Sequence, residues 1–338
     1  MRPNSLRGLV NVVVVLAVFV GSFAFYVYTG PGDLAWGEGA YYQRRVVQAQ
    51  IGEGPWDRPL YVILSQPFLH LPWGTPVERA NFASAAFAAG ACLFVYLLLK
   101  TLLQVAPQFI ARRVGLVGAI SLAVAHTFWL RAVTPGPETL GALLLAAILY
   151  YFLRFANEGR VPFFYLALAI LGLSLSNNLM MLFLLPIFAV WVRVVRPPLV
   201  REIGKIRARG LAVFLASSAL ALAVTARSWA AAGFDLPAER WEWVTFWRHH
   251  MMLSWEAPLK QSLTRFGITL LYSFPPWTAF FGLLGFLELF RRQKYVFWLI
   301  FPLFLVYAGL AITLTLPEPM NAYVPAWVLI SIAVGYGW

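Results

Sequence analysis

LVNVVVVLAVFVGSFAFYVY, residues Leu9–Tyr28, runs for twenty positions without a charged side chain. At 1.5 Å per residue a helix of that length spans about 30 Å, the thickness of a bilayer's hydrocarbon core. Arg2 and Arg7 precede it, and Thr29-Gly30-Pro31-Gly32-Asp33 ends it with a Pro-Gly turn. The run exceeds the roughly 7–15 apolar residues of a signal-peptide core and lacks an obvious small-residue cleavage site. It therefore reads as a retained first membrane helix.

The rest of the chain follows the same pattern. Read with a window of about 19 residues, apolar runs fall near 9–29, 80–99, 114–133, 139–155, 162–176, 178–195, 210–226, 266–290, 295–316 and 322–337. They predict an all-α polytopic membrane protein of about ten transmembrane helices in a single domain, 1–338. The last run stops at Trp338 with no flanking charge, as in a chain cut off at a helix end. Only 12% of residues are charged and 61% are hydrophobic, against about 25% charged in a soluble domain. A lone cysteine, Cys92, excludes an internal disulfide and a cysteine metal site. It lies in an apolar run and reads as a small core residue.

The net charge of +12 suggests nucleic acid only until its distribution is read. With the N-terminus in the cytoplasm and alternating spans, the inner side receives 16 of the 26 basic residues and 3 of the 14 acidic ones. That gives +13 inside and −1 outside, the positive-inside pattern. No nucleic-acid partner is needed. The expected location is multi-pass in the membrane, the plasma membrane in a prokaryote, with the chemistry on the outer face.

Two outer segments are long, about 30–79 and about 227–265, and long connections are where function concentrates. In the first, residues 38–51 place Tyr42, Val46 and Ala49 on one helical face and Arg44, Arg45 and Gln48 on another. Residues 59–71 are apolar but too short to span. Both predict interfacial helices at the membrane surface.

Several constellations carry candidate chemistry. Asp33 follows a Pro-Gly turn, with Glu38 five residues on; a carboxylate there serves either as a general base for a hydroxyl or as a helix cap. Arg58 and Tyr61, beside Trp56, either grip a phosphate or anchor the loop at the interface. Trp241, Trp243, Trp247 and Trp255 surround Arg248-His249-His250, as an aromatic belt or a binding loop. Arg131, near Glu138, either stabilises an anionic leaving group or snorkels. Asn177-Asn178 faces a polar cavity or makes a turn. His70 and His126 stand isolated. No metal site is predicted, and no P-loop, Rossmann glycine fingerprint, HExxH or GxSxG occurs.

Taken in order, Tyr28-Thr29-Gly30-Pro31-Gly32-Asp33, Glu38, Arg58-Pro59-Leu60-Tyr61, Leu71-Pro72-Trp73-Gly74, Arg79, Asn81 and Ser84 resemble the opening of the protein O-mannosyltransferase-like membrane family. Thr127-Phe128-Trp129, Ser176-Asn177, Trp247-Arg248-His249 and Tyr323-Val324-Pro325-Ala326 continue the likeness. The family's His-Pro-Pro-Gly-Tyr-Pro stands here as Gly54-Pro55-Trp56-Asp57-Arg58-Pro59. An acidic residue expected after the third span aligns with Gly136, two positions before Glu138.

The resemblance implies a GT-C-like bundle that moves a sugar from a polyprenyl-phosphate donor to a protein or glycan hydroxyl. It implies Asp33 as catalytic base, with Glu38 beside it. Arg58, Tyr61, Arg79, Arg131, Arg248 and His249 then face the donor phosphate. Glu138, Asn177 and Asn178 are further cavity candidates. The lipid phosphate is the leaving group, so no nucleotide cofactor is required; the need for a divalent metal is open. The rival readings are a transporter or lipid flippase and a catalytically inactive member of the family.

Overall fold

The computed structural model describes residues 3–32, 35–51, 58–231, 259–313 and 322–338. Among them every regular element is helical. In chain order these are α1 (Pro3–Thr29), α2 (Glu38–Val47), α3 (Pro59–Ser65) running into a 3-10 turn (Gln66–His70), α4 (Pro76–Leu102), α5 (Gln108–Val124), α6 (His126–Val133), α7 (Pro137–Glu158) and α8 (Val161–Ser174). A second 3-10 turn (Leu179–Phe183) leads into α9 (Leu184–Val194). Then come α10 (Pro197–Ala231), α11 (Leu259–Ser273), α12 (Pro276–Arg292), α13 (Lys294–Thr313) and α14 (Val324–Gly337).

The ten apolar runs are helical wherever they are described, but they are not ten equal spans. Among the described residues five helices, α1, α4, α7, α10 and α13, are long and apolar enough to cross a membrane, or up to seven if each of two bent pairs is one span. Run 114–133 bends by 68° between α5 and α6, and run 266–290 by 104° between α11 and α12. The second break has a plain cause. Pro275 brings no N–H, and adjacent prolines drive the residues before them out of the helical region. At the first, Ala125 is extended (φ −59°, ψ 118°) between the two helices. α8, α9 and α14 are shorter apolar helices.

α4 is the hub, packed on α1, α5 and α7. Its start is fixed by a capping box: Thr75 Oγ1 accepts from the Glu78 N–H at 3.3 Å, and Glu78 Oε2 accepts from the Thr75 N–H at 2.6 Å. α14 is apolar all round, and every residue from Val324 to Gly335 is buried, chiefly against α5 and α12. Gly285 on α12 touches the backbone of Ala333 so closely that a Cβ would collide with its carbonyl. Small residues at such crossings let helices approach where there is no water to drive them together. α1 and α10 bury the least of their apolar surface, as lipid-facing helices do.

The two short helices of the first long segment are present, with one correction. α2 ends at Val47, and Ala49 takes a positive φ of 52°, outside the helix and exposed. Arg45, expected on the polar face with Arg44, is fully buried. Its guanidinium donates to the Gln50 carbonyl at 3.1 and 2.9 Å and to the Tyr41 hydroxyl at 2.7 Å. A guanidinium whose donors are met by a carbonyl just past its helix and by a phenol has no need of water.

Candidate functional site

Three connections meet at one end of the bundle. Asn81 Nδ2 on α4 donates to the Pro31 carbonyl at 3.3 Å, just past the end of α1. The Gly136 N–H, between α6 and α7, donates to Tyr61 Oη at 3.0 Å and to Ser84 Oγ at 3.2 Å. Asn177 Nδ2, after α8, donates to the Pro137 carbonyl at 3.1 Å. Asn81 and Ser84 are three residues apart on α4 and so share a face. One helix face therefore holds both the segment leading to Asp33 and the turn before Glu138.

That turn is built to present a carboxylate. Pro137 opens α7 at its first position, and Glu138 follows in the first turn, where the helix dipole favours negative charge. Gly136 is extended, so any residue could adopt its backbone, but a Cβ there would strike Glu138 Oε2. The glycine leaves room for the carboxylate to fold back. Glu138 Oε2 is buried and accepts no hydrogen bond among the described residues. Its charged neighbours are Glu38, Arg131 and Arg58. Arg131 is buried on α6, Arg58 is half-buried at the N-cap of α3, and Glu38 is exposed in the first turn of α2. Gly39, the residue after Glu38, packs against Thr134 and Pro135. Two carboxylates and two guanidiniums thus gather where α2, α3, α6 and α7 begin or end.

Tyrosines form the wall of this cluster. Tyr61 is fully buried, its hydroxyl shared among Gly136 and Ser84 (2.9 Å). Its ring packs edge-on against Tyr42 at 5.6 Å. Burial pushes the Tyr61 hydroxyl well above the usual tyrosine range, against the opposing hydrogen bonds from Ser84 and Gly136. Burial does the same to Tyr42, against the opposing charge of Arg58. Both remain neutral hydrogen-bonding groups.

Asp33, Arg248 and His249 lie outside the described residues. The chain on either side of Asp33 is nonetheless held. Pro31 is bound by Asn81, as above, and the Ala35 N–H donates to Gln43 Oε1 at 3.0 Å. Gln43 Nε2 donates in turn to Asn81 Oδ1 at 3.0 Å. The N-cap position of α2 is Gly37, not Asp33. A cavity of about 110 Å³ opens beside this segment, lined by Gly30, Pro31, Gly32, Glu78, Asn81 and Val133 among others. Arg58, Arg131 and Glu138 are not in its described lining.

The remaining candidates are placed elsewhere. Arg79 donates to the Trp73 carbonyl at 3.1 Å and the Leu69 carbonyl at 2.8 Å, which fixes the loop before α4. Asn178 caps the second 3-10 turn, its Oδ1 accepting from the Met180 N–H at 2.9 Å. Asn177 is buried, and its Oδ1 has no partner among the described residues. His126 packs its ring against Tyr272 at 4.3 Å. No group of three or more metal-ligating side chains occurs among the described residues.

The sequence reading missed Gln43, Glu78 and the role of Ser84. Glu78 was legible as a capping box, T-P-V-E, but not as a cavity wall. Gln43 carries no local signal, because its partner Asn81 is 38 positions away.

Residues 54–200 match the family described as protein O-mannosyl-transferase TMEM260 N-terminal domain. No curated protein matches the chain. The matched stretch supplies Arg58, Tyr61, Ser84, Arg131, Glu138 and Asn177; Asp33, Glu38 and Gln43 precede it. Over residues 54–200, which build most of the site just described, the chain is similar to that O-mannosyltransferase-like family.

Proposed function

We propose that this multi-pass membrane protein is a GT-C-type glycosyltransferase that moves a sugar from a polyprenyl-phosphate donor to an acceptor hydroxyl on the outer face. The observation that carries the reading is the gathering of Glu38, Arg58, Arg131 and Glu138 at one end of the bundle, largely within the family-matched stretch and next to the segment bearing Asp33. In this reading Asp33 takes the proton of the acceptor hydroxyl. The hydroxyl oxygen attacks the anomeric carbon, and the bond from that carbon to the lipid phosphate breaks. The departing phosphate gains negative charge, which Arg58 and Arg131 offset. Glu138 orients Arg131 and balances it while the site is empty. Arg248 and His249 are donor-side candidates from the second long segment. Tyr42 and Tyr61 keep the wall neutral, so the field at the phosphate comes from the arginines. The acceptor is a protein or glycan.

The test is transfer from purified polyprenyl-phosphate sugars to an acceptor, with wild type compared to Asp33→Asn. General-base catalysis is worth roughly 10²–10⁴-fold, so turnover falls at least about 100-fold while donor binding changes little. Near-normal transfer by a folded Asp33→Asn protein removes Asp33 from the mechanism. Absence of transfer by wild type with every donor, together with movement of lipid between leaflets, would favour the flippase reading instead.

A further inference from the structure

Asn11 interrupts the apolar run of α1, and the glycosyl-transfer reading gives it no role. In the structure its Oδ1 accepts from two cations at once. Lys100 Nζ, at the end of α4, donates at 3.1 Å. Arg112 on α5 donates through Nε at 3.2 Å and Nη2 at 3.0 Å. Both charges bond one oxygen, so they stand within about 6 Å of each other, close enough to repel strongly where water is scarce. A neutral amide does not cancel that repulsion.

No carboxylate stands ready to do so. Among the described residues neither Lys100 nor Arg112 makes an ion pair, and the one further acceptor of Arg112 is Gln108 Oε1 at 3.5 Å. An ammonium has three donors and a guanidinium five. Most of them have no protein acceptor among the described residues. The Tyr96 hydroxyl lies in the field of Arg112, is fully buried and makes no hydrogen bond among the described residues. Arg113, next along α5, stacks on Phe109 at 5.7 Å and adds a third positive charge at the same helix end. Along α4, Lys100 is sixteen residues beyond Ser84, about 24 Å from the candidate active site at 1.5 Å per residue. The cluster is therefore separate from that site.

We propose that Lys100, Arg112 and Asn11 form a binding site for a phosphate ester at the opposite membrane surface, occupied by the headgroup of an anionic lipid. A phosphate brings several acceptor oxygens to donors that have one between them, and a negative charge to a pair that lacks one. The lipid source is favoured by place: the cations sit at the ends of α4 and α5 against α1, a helix that leaves most of its apolar surface uncovered, where a headgroup lies at the membrane surface. The site does not depend on glycosyl transfer.

The test uses the full chain in detergent, with native mass spectrometry for retained lipid and thermal unfolding for linkage. The probes are short-chain phosphatidylglycerol, phosphatidylcholine and inorganic phosphate. Wild type is expected to retain phosphatidylglycerol and to melt at higher temperature with it. Phosphatidylcholine does neither. Lys100→Gln/Arg112→Gln is expected to lose at least about fivefold of the retained phosphatidylglycerol, and Arg112→Lys to keep most of it. If the double variant does not fold, Arg112→Gln alone is read in the same way, with a smaller loss expected. Equal retention by wild type and the folded neutral variant overturns the proposal. Stabilisation by inorganic phosphate equal to that by phosphatidylglycerol overturns the lipid assignment, since the site would then be one for a free anion.

Discussion

Gln43 on α2 donates its Nε2–H to Asn81 Oδ1 on α4 at 3.0 Å, while its own Oε1 accepts from the Ala35 N–H and Asn81 holds the Pro31 carbonyl. Two amides thus grip the chain on both sides of the segment bearing Asp33. Asn81→Leu leaves Gln43 and Pro31 without their partner, and an orphaned buried polar group costs about 1–3 kcal/mol. Thermal unfolding should record that loss. Transfer should fall about tenfold or more through turnover, with donor affinity nearly unchanged. A variant that melts lower yet turns over normally would show that the amide pair supports the fold alone.

Glu138 stands among Arg131, Arg58 and Glu38. Arg131 is buried and Glu138 half-buried, and removing one leaves the other's charge uncompensated, so Glu138→Gln and Arg131→Gln should each destabilise. Their double variant should be less destabilised than the sum of the two. A coupling energy of about 1 kcal/mol or more in a double-mutant cycle of unfolding is expected. Strict additivity would mean that the two side chains do not interact.

Gly136→Ala tests the fold-back of that carboxylate. The backbone tolerates alanine, and the obstructing atom is the end of a flexible side chain, so the stability change should be small. Transfer should drop because Glu138 is displaced. In a Glu138→Gln background the same alanine should then add little. An equal further drop there would place the effect of Gly136 somewhere other than Glu138.

Tyr61→Phe removes one of the two acceptors of the Gly136 N–H and leaves Ser84 Oγ as the other. A typical net hydrogen bond is worth about 0.5–1.5 kcal/mol. The melting temperature should fall by a few degrees, and donor affinity should hold, because the hydroxyl faces the protein. A large loss of donor affinity at unchanged stability would return Tyr61 to direct phosphate contact.

Orientation can be read with single cysteines, since Cys92 is buried and silent to reagents. Trp73 and Val105 are exposed, before and after α4. The charge asymmetry of +13 against −1 assigns Trp73 to the outside and Val105 to the inside. An impermeant maleimide on intact cells should label Trp73→Cys and spare Val105→Cys. The reverse pattern would invert the topology and move the candidate site to the cytoplasm.

The spanning helices were legible because each is a long apolar run, and α14, though shorter, was legible as apolar on every side. Its central burial is what that pattern means. The breaks were half legible: Pro275-Pro276 announces one, while Ala125 gives no warning of the other. Arg45 misled, because a charge in a 3.6-residue pattern is assigned to water unless its acceptor is known, and the Gln50 carbonyl becomes visible only once the helix has ended. At the site, residue types were legible but company was not. Glu138 and Arg131 could be nominated from the sequence. Tyr61 looked like a phosphate contact until its hydroxyl was found between Ser84 and Gly136, 23 and 75 positions away.

The burial of α14 also bears on how the molecule is assembled. Synthesis proceeds from the N-terminus, so α5 and α12 are made before the helix that packs on both of them. Until Val324 and the residues after it are made, the faces of α5 and α12 that α14 covers lack that cover. α14 must then seat its backbone on Gly285 without a side chain's width to spare. The last described helix is thus a keystone.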